Sequence, residues 1–310
     1  MRAVTQDAFG DPTVLHVVDL PKPAPLPSEV LVRVHATGIN PVDAMVRSGA
    51  FPMLGQPPFV LGWDISGVVE EVVPGVTRFE VGDEVFGMPF FPRAGNGYAE
   101  YVAVPSRQLA RKPAAVDHDH AAALPLAGLT AWQALADAAE VAPGDRVLIH
   151  AGGGGVGHLA VQIAKARGAH VVATASAAKH DFVRGLGADE VVDYRAVDIT
   201  EAIGGMDVVL DTVGGAVARR SIEVLRPGGL LLTIVDRMDT GLRAATIDAG
   251  RRFAGLTVEP DYVGLEALAA LVQDGQLRPY VEHSLPLEEA AKAHELIESG
   301  RTQGKIVLTV

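Results

Sequence analysis

The densest chemical pattern in the chain is a glycine run that follows a short apolar segment. Gly152, Gly154 and Gly157 have the spacing G-x-G-x-x-G, after a predicted strand at 146–150 and before a predicted helix at 158–166. Glycine at these positions permits a tight turn, close approach of backbone N–H groups to a pyrophosphate, and close packing of helix on strand. A plain flexible glycine run is the alternative, and the flanking strand and helix argue against it. We therefore predict a dinucleotide site and assign to it Gly152, Gly154, Gly155, Val156 and Gly157.

The residues after the next predicted strand, 170–175, indicate which dinucleotide is bound. A site for NAD would present Asp or Glu here to the ribose 2′-hydroxyl, but the chain reads Ser176-Ala177-Ala178-Lys179. Ser176 can donate a hydrogen bond to a phosphate, and Lys179 can neutralise it. We therefore predict NADPH as the cofactor. The alternative is that Lys179 is only a solvated lysine in the first turn of a helix.

Other patterns that could carry chemistry are weak. The chain contains no cysteine, which excludes a thiol nucleophile, a disulfide and every zinc site built on thiolates. The segment Asp117-His118-Asp119-His120 has metal-ligand residue types, but acidic residues before an Ala-rich helix are typical of a helix N-terminus. Adjacent positions in a helical turn also point in different directions. We therefore predict no metal site.

The acidic balance of the 310-residue chain limits its partners. The formal net charge is −12 at pH 7, whereas nucleic-acid binding depends on Lys and Arg that neutralise phosphates. The longest apolar stretches are strand-sized and too short to span a membrane. The first residues lack the apolar core of a signal peptide. We therefore predict a cytoplasmic protein with no nucleic-acid partner and no membrane association.

Two kinds of structure must position these residues. Residues 1–121 contain short strands between Gly and Pro turns, and the segment 29–35 has apolar residues at every second position, as a half-buried strand should. From 122 to 264, strands and helices alternate, and the continuous apolar strands indicate a parallel sheet covered on both faces. Residues 265–310 are expected to return to the first domain. The predicted fold class is α/β, a Rossmann doubly wound parallel sheet with a second domain that is a β-barrel or folded-over sheet.

The order and spacing of several motifs identify a family. The chain resembles the medium-chain dehydrogenase/reductase superfamily and, within it, the zinc-free quinone oxidoreductases, which are the ζ-crystallin-like proteins. The resemblance spans essentially the whole chain and rests on Gly38-Ile39-Asn40-Pro41-Val42-Asp43, Arg47-Ser48-Gly49, Val81-Gly82-Asp83-Glu84-Val85-Phe86, Tyr98-Ala99-Glu100-Tyr101, Leu124 to Trp132, Ala151 to Gly157 and Gly304 to Leu308. It implies a GroES-like β-barrel domain, a Rossmann domain, and an active cleft between them.

The resemblance also implies roles for individual residues. The residues assigned to the nicotinamide end and its chemistry are Asn40, Asp43, Thr130 and the backbone at Val235. Those assigned to the adenosine 2′-phosphate are Ser176, Lys179 and Tyr194, although an aromatic residue at a strand end often only packs. Lys305 of the closing motif is assigned to the cofactor as well, and Phe51 and Trp63 are assigned to an apolar, planar substrate.

Two departures from related enzymes change the expected chemistry. Zinc-dependent relatives have a Cys where Asn40 stands and a His-Glu pair where Trp63-Asp64 stands, so the resemblance implies no catalytic zinc. Some quinone reductases of this branch have a tyrosine where Phe51 stands. We therefore expect the proton in the reaction to come from water.

These observations lead to one predicted function and two alternatives. We predict an oxidoreductase that transfers a hydride from NADPH to a quinone or an α,β-unsaturated carbonyl compound without zinc. The resemblance implies a homodimer, and an apolar edge strand at 256–258 could continue a sheet across its two-fold axis. An enoyl-thioester reductase is the alternative enzyme, for which Arg93 and Arg107 would supply a basic entry patch. A non-catalytic NADPH-binding protein is the third possibility.

Overall fold

The computed structural model describes residues 1–310 as strands and helices joined mostly by short loops. The strands are β1 (Arg2–Gln6), β2 (His16–Asp19), β3 (Glu29–Ile39), β4 (Phe59–Val60), β5 (Asp64–Val72), β6 (Glu84–Gly87), β7 (Tyr101–Pro105), β8 (Leu109–Arg111), β9 (Arg146–Ile149), β10 (His170–Ala175), β11 (Glu190–Asp193), β12 (Met206–Asp211), β13 (Leu225–Thr233), β14 (Arg252–Gly255), β15 (Val281–Pro286) and β16 (Lys305–Thr309). The α-helices are α1 (Pro41–Ser48), α2 (His118–Ala122), α3 (Pro125–Trp132), α4 (Gly157–Ala166), α5 (His180–Gly185), α6 (Ile199–Ala202), α7 (Gly215–Val224), α8 (Thr240–Asp248), α9 (Tyr262–Gln273) and α10 (Ala290–Glu298). None of the helices combines the length and the apolar composition that a membrane crossing requires.

The chain divides into two compact units. Unit 1 comprises residues 1–129, 259–275 and 279–310, and unit 2 comprises residues 130–258 and 276–278. Unit 2 contains a parallel sheet and unit 1 contains largely antiparallel sheets, so the predicted α/β fold class is confirmed. The predicted domain boundaries, after residues 121 and 264, stay predictions.

Unit 2 is built around a six-stranded parallel sheet with the strand order β11-β10-β9-β12-β13-β14. Its strands are apolar along most of their length, and Leu148, Val209 and Leu231 are completely buried in one core cluster. Strands of this kind require cover on both faces of the sheet. Because the strands are parallel, their carboxyl ends meet at one edge, which is where folds of this class bind dinucleotides.

Strand β3 is the centre of the seven-stranded sheet in unit 1, and a three-stranded sheet, β2-β1-β4, belongs to the same unit. The predicted half-buried strand at 29–35 is instead an 11-residue strand that is buried along most of its length. It pairs with β5, β7 and β16, and side chains are buried on both of its faces: Val30, Val32 and Val34 lie in one core cluster, and Leu31 on the opposite face is 2% exposed. Ile306 lies opposite Ile39 in this pairing, so the last strand of the chain completes unit 1.

The predicted edge strand at 256–258 is wrong. The outermost strand of the parallel sheet is β14, which pairs with β13 as far as Thr233 opposite Gly255. Strand β13 ends at Thr233, so the residues beyond Gly255 have no further strand residue to pair with. The N–H of Leu256 makes the last hydrogen bond to β13, at 3.0 Å from the Thr233 carbonyl oxygen.

Candidate functional site

The glycine loop joins β9 to α4 at the carboxyl edge of the parallel sheet. Its turn is tight, because Ala151 has a φ of +49° and the Gly154 N–H donates to the Ala151 carbonyl oxygen at 2.8 Å. A Cβ on Gly157 would lie 2.1 Å from that carbonyl oxygen, and a Cβ on Gly152 would lie 2.9 Å from the Cβ of Ala173. Only glycine therefore fits at 152 and 157, and the loop can turn closely over the edge of the sheet.

The part of the loop that leads into α4 offers free backbone donors. The Gly154 N–H is already bonded to Ala151, but Gly155 and Val156 are partly exposed, and no side chain caps the helix that follows. The first N–H groups of a helix have no acceptor within it, and the helix dipole adds partial positive charge at this end. These donors fit a pyrophosphate.

Polar side chains from the ends of β10 and β11 lie next to one another. The two strands pair in register up to their last residues, so Ser176 and Tyr194 follow at neighbouring positions on the same edge. Lys179 reaches back to the glycine loop, where its Cδ lies 2.9 Å from the point that a Cβ of Gly153 would occupy. A hydroxyl, an ammonium and a phenol at this edge fit a ribose that carries a 2′-phosphate.

Arg195 is a candidate that the sequence analysis did not select. Its guanidinium lies over the Tyr194 ring, 5.4 Å from the ring centroid, and its Nε donates to the Tyr194 hydroxyl at 3.2 Å. Both side chains are exposed, so a second cation adjoins the group of residues around Lys179 and Ser176. The signal was present in the sequence, as a basic residue directly after the tyrosine at a strand end.

Val235 lies on the other half of the same edge. It follows β13, its side chain is 46% exposed, and its N–H donates to Thr233 Oγ1 at 3.2 Å. In the strand order, β9 and β12 separate this residue from the residues at the ends of β10 and β11. The structure thus brings the predicted cofactor residues of unit 2 to one edge of the sheet, in two groups.

In unit 1, the side chains of Asn40, Asp64 and Lys305 meet in a fully buried cluster. Asn40 Nδ2 donates to Asp64 Oδ2 at 2.8 Å. The Lys305 ammonium donates to Asn40 Oδ1 and to the Ile39 carbonyl oxygen, the latter at 2.9 Å, and lies 3.2 Å from Asp64 Oδ2. An ammonium can only donate and a carboxylate can only accept, so these partners determine the orientation of the Asn40 carboxamide. Because all three Lys305 N–H groups have protein acceptors, none is left for a phosphate.

Asp43 lies in the first turn of α1, beside this cluster. Its Oδ2 accepts a hydrogen bond from the Asn40 backbone N–H at 2.7 Å, and the residue is completely buried. Burial, together with the nearby Asp64 carboxylate, raises the pKa of Asp43 to about 7. Asp43 therefore holds its proton to a higher pH than an aspartate in water does.

A further row of buried polar groups lies behind Asp43. The Tyr98 hydroxyl is 3.1 Å from His294 Nε2, and both residues are fully buried. Burial and the Asp43 carboxylate raise the pKa of Tyr98 well above its usual value, while burial and the Arg47 guanidinium lower the pKa of His294 to about 3. Arg47 is itself buried and donates to Glu298 at 2.7 and 3.1 Å. Sequence spacing does not reveal this row, because its members come from opposite ends of the chain.

The remaining predicted residues occupy separate positions. Trp63 is completely buried in unit 1, where its Nε1 donates to the Arg93 carbonyl oxygen at 2.6 Å and Phe91 packs against its ring. Phe51 is partly exposed in unit 1. Thr130 lies in α3, at the beginning of unit 2, and is 4% exposed.

Comparison with known protein families gives two matches along the chain. Residues 26–114 match the alcohol dehydrogenase GroES-like domain, and residues 186–308 match a family described as zinc-binding dehydrogenase. Human quinone oxidoreductase is 32% identical, over 99% of this chain and 97% of the human protein. The mouse NAD(P)H oxidoreductase RTN4IP1, described as mitochondrial, is 33% identical, over 92% of this chain and 82% of the mouse protein.

Solved structures give the same result along the whole chain. The quinone oxidoreductase from Coxiella burnetii has a TM-score of 0.95 and 39% identity, with 100% of this chain and 99% of that chain covered. Escherichia coli quinone oxidoreductase, solved as a complex with NADPH, has a TM-score of 0.90 and 29% identity, with both chains covered completely. The CurK enoyl reductase has a TM-score of 0.90 and 27% identity, with 99% of this chain and 98% of that chain covered. The chain therefore belongs to the quinone oxidoreductase branch of the medium-chain dehydrogenase/reductase superfamily.

Proposed function

We propose that this protein transfers a hydride from NADPH to a quinone or an α,β-unsaturated carbonyl compound without a catalytic zinc ion. The observation that carries the proposal is the carboxyl edge of the parallel sheet, where the glycine loop lies beside Ser176, Lys179 and Tyr194. The names of the relatives support it, since the human and Coxiella proteins are quinone oxidoreductases and the Escherichia coli protein was solved with NADPH.

The side chains of unit 1 do not fit a zinc ion. At the positions where zinc-dependent relatives have ligands, Asn40 and Asp64 both contact the Lys305 ammonium. The Trp63 indole is not a metal ligand, and it donates its N–H to a carbonyl oxygen. No group of three His, Cys, Asp or Glu side chains in the chain could hold a metal ion. The proposal therefore contains no metal step, although the matching family is described as zinc-binding.

When NADPH is bound, it supplies the hydride. We propose that Asn40, which is 2% exposed, then acts on the oxygen of the acceptor: Asp64 holds one Nδ2 hydrogen, and the other is proposed to donate to that oxygen. Lys305 fixes this orientation by donating to the carboxamide oxygen, so Asn40 does not have to reorganise as charge develops on the acceptor oxygen. Thr130 and the backbone at Val235 are proposed to contact the nicotinamide, and Asp43 to hold Asn40 through its backbone N–H.

The proposed proton source is water. Phe51 has no acidic group, and the Tyr98 hydroxyl is buried with a pKa raised well above its usual value. A phenol in that environment releases its proton less readily than a phenol in water. Acceptors that already spread negative charge onto oxygen need neither a metal nor a strong acid beside the reacting carbon.

An enoyl-thioester reductase is the second candidate, which the likeness to the CurK enoyl reductase supports. Its carrier or coenzyme phosphates would require basic residues. Arg107 is exposed, and only its Nη1 is engaged, as donor to the Tyr262 hydroxyl at 3.3 Å, so most of its N–H groups could meet a phosphate. We place this function second because the CurK enoyl reductase is 27% identical to this chain, whereas the Coxiella quinone oxidoreductase is 39% identical.

The decisive experiment follows NADPH oxidation by absorbance with 1,4-benzoquinone, an enone such as methyl vinyl ketone, and crotonyl-CoA. The expected result is turnover of the quinone and the enone after dialysis against a zinc chelator, with NADPH preferred to NADH. Faster turnover of crotonyl-CoA would establish the second candidate. Loss of activity on chelation, restored by zinc, would overturn the metal-free mechanism, and tight NADPH binding without any turnover would indicate a non-catalytic protein.

A homodimer and a cytoplasmic location belong to the proposal as well. Strand β14 is the outer strand of the parallel sheet and could pair with its copy across a two-fold axis. Light scattering during gel filtration is expected to give twice the mass of the 310-residue chain. A single chain mass at micromolar concentration would refute the dimer.

A further inference from the structure

The strand order of the parallel sheet divides its carboxyl edge into two halves. The order reverses between β9 and β12, and a dinucleotide lies across such a reversal with one nucleotide on each half. The glycine loop and the residues after β10 and β11 belong to the adenosine half. The loops after β12 and β13, at 212–215 and 234–236, therefore belong to the nicotinamide half.

A single buried carboxylate joins these two loops. Asp211 is the last residue of β12 and is completely buried. Its Oδ1 accepts hydrogen bonds from the backbone N–H groups of Val213 and Gly214, at 3.0 and 2.9 Å. Its Oδ2 accepts a hydrogen bond from Thr233 Oγ1 at 2.7 Å. One side chain thus fixes the loop after its own strand and reaches the end of the next strand.

Thr233 continues the connection into the second loop. Its Oγ1 accepts the backbone N–H groups of Val235 and Asp236, at 3.2 and 3.0 Å. The hydroxyl hydrogen is committed to Asp211, so the threonine oxygen is free to accept from both N–H groups. In this way the backbone positions of both loops depend on one carboxylate.

The two loops also pack directly against one another. Gly214 has a φ of +80°, and a Cβ there would lie 2.9 Å from Val235 Cγ1. The Gly215 N–H donates to the Asp236 carboxylate at 2.5 Å. Val213 and Val235 are nevertheless 47% and 46% exposed. The loops therefore form one surface, with apolar side chains outward and polar groups inward.

No cation balances the Asp211 carboxylate. Its partners are N–H and O–H groups, and the nearby His150 is buried with its pKa lowered to about 4, so it is neutral. His150 is bonded to Thr174 Oγ1 and Ser221 Oγ. A buried anion without a cation is costly to a fold, and here its hydrogen bonds all lead to the two loops or to the strand end between them.

We propose that Asp211 is a positioning residue, which holds the loops at 212–215 and 234–236 in the arrangement that receives the nicotinamide half of the cofactor. The inference rests on the proposed NADPH site. We call Asp211, Thr233 and the four loop N–H groups that they bind the Asp211 network. The inference implies that weakening this network weakens the binding of the nicotinamide half of the cofactor and leaves the binding of the adenosine half intact.

The test compares two ligands by isothermal titration calorimetry on the full chain. NADPH covers both halves of the edge, and 2′,5′-ADP covers only the adenosine half. The variants are Asp211→Asn, which turns one acceptor oxygen into a donor, and Thr233→Val, which removes the hydroxyl at nearly constant shape. Thr246→Val is the matched control, because Thr246 is equally buried in unit 2 but donates only within its own helix, to the Leu242 carbonyl oxygen.

The expected result is that NADPH binds roughly ten-fold more weakly to both variants, as for the loss of a hydrogen bond to a charged group, while the 2′,5′-ADP affinity stays within about two-fold. Thr246→Val should change neither affinity. Equal weakening of both ligands, or no change in either, would overturn the inference. If the unmodified protein binds neither ligand, the proposed cofactor site itself is wrong, so the two failures are distinguishable. Thr233→Val keeps the test decisive if Asp211→Asn does not fold.

Discussion

The carboxyl edge of the sheet in unit 2 and the buried cluster in unit 1 both hold polar groups in fixed positions. They differ in which groups do this and in how far these groups lie from water. At the edge of the sheet, the groups proposed to meet the phosphates are backbone N–H groups and partly exposed side chains close together in sequence, such as Gly155 and Lys179. In unit 1, the groups that orient Asn40 are charged side chains removed from water, and Lys305 lies 265 residues away along the chain. The first region is proposed to bind an anion at its surface, whereas the second holds opposite charges inside a core.

Asp43 of unit 1 and His150 of unit 2 respond to pH in opposite directions. In unit 1, burial raises the pKa of Asp43 from 3.8 to about 7, so the folded protein retains a proton there that the unfolded chain releases. In unit 2, burial lowers the pKa of His150 from 6.5 to about 4, so the folded protein lacks a proton there that the unfolded chain takes up. Raising the pH from 4 to 7 therefore destabilises the fold through Asp43 and stabilises it through His150.

Lys305→Met tests the buried charge pair most severely. The substitution leaves the Asp64 carboxylate buried without its cation, so we expect the free energy of unfolding in urea to fall by about 3–5 kcal/mol. The matched control is Lys112→Met, because Lys112 is also a buried lysine but its partner Glu84 is 53% exposed and can turn to water. We expect the control to lose no more than about 1 kcal/mol.

A double variant, Lys305→Met with Asp64→Asn, completes this test. It removes both charges, so part of the stability lost in Lys305→Met should return. Two results would contradict this expectation: equal losses of unfolding free energy in Lys305→Met and Lys112→Met, or no recovery in the double variant. Either result would mean that packing holds the cluster of unit 1 and that its charges do not stabilise it.

Asp43→Asn tests the pH response that we assign to Asp43. An asparagine has no proton to release, so the contribution of Asp43 to the pH dependence disappears. As the pH rises from 4 to 8, the unmodified protein should lose up to about 4 kcal/mol of unfolding free energy through Asp43, and the variant should not lose this contribution. Urea denaturation at several pH values measures it. Asp181→Asn is the control, because the Asp181 side chain is fully exposed, and a similar shift there would contradict the assignment to Asp43.

The contrast between the regions explains what could be predicted from the sequence. The glycine loop, the parallel sheet and Ser176 and Lys179 were predicted because the residues involved are neighbours in sequence and follow a strand-loop-helix pattern. The pairing of Asn40 with Lys305 and of Arg47 with Glu298 was not predicted, since sequence spacing carries no signal for contacts between the first and the last strands and helices. Sequence spacing therefore assigns Lys305 to the cofactor, although Ile39, Asn40 and Asp64 occupy the donors of its ammonium.

The sequence pattern also predicted too little burial for some residues of unit 1. Strand β3 alternates between apolar and other residues over 29–35, which indicates one exposed face, yet Leu31 on that face is buried together with Val30, Val32 and Val34 on the other. Trp63 is a large aromatic residue of the type that contacts planar substrates, but it lies in the core with its N–H bonded to a carbonyl oxygen. Composition indicates what a side chain can contact, and the fold decides whether anything outside the protein can reach it.

Lys179→Ala tests the cofactor edge with a smaller expected effect. Removing the ammonium should weaken NADPH binding about ten-fold to thirty-fold, as for the loss of a charge-assisted contact with a phosphate, and should leave NADH binding nearly unchanged. Fluorescence titration with both cofactors measures this. The control is Arg184→Ala, an exposed cation of α5 that pairs with Asp181. If both cofactors bind equally less well to Lys179→Ala, the 2′-phosphate lies elsewhere.

Arg195→Ala should have the smallest effect, and its dependence on salt is the informative measurement. Arg195 and Tyr194 are exposed, so the guanidinium acts on a phosphate through water, and we expect NADPH binding to weaken only about two-fold to five-fold at low ionic strength. At about 0.5 M salt the Debye length falls well below 10 Å, and the difference in NADPH affinity from the unmodified protein should vanish.

Lys179 is only partly exposed and packs on the glycine loop, so the effect of Lys179→Ala should survive the same salt concentration. If the effect of Arg195→Ala persisted in salt, the guanidinium would have to contact the phosphate directly, and Arg195 would rank with Lys179 as a determinant of cofactor choice.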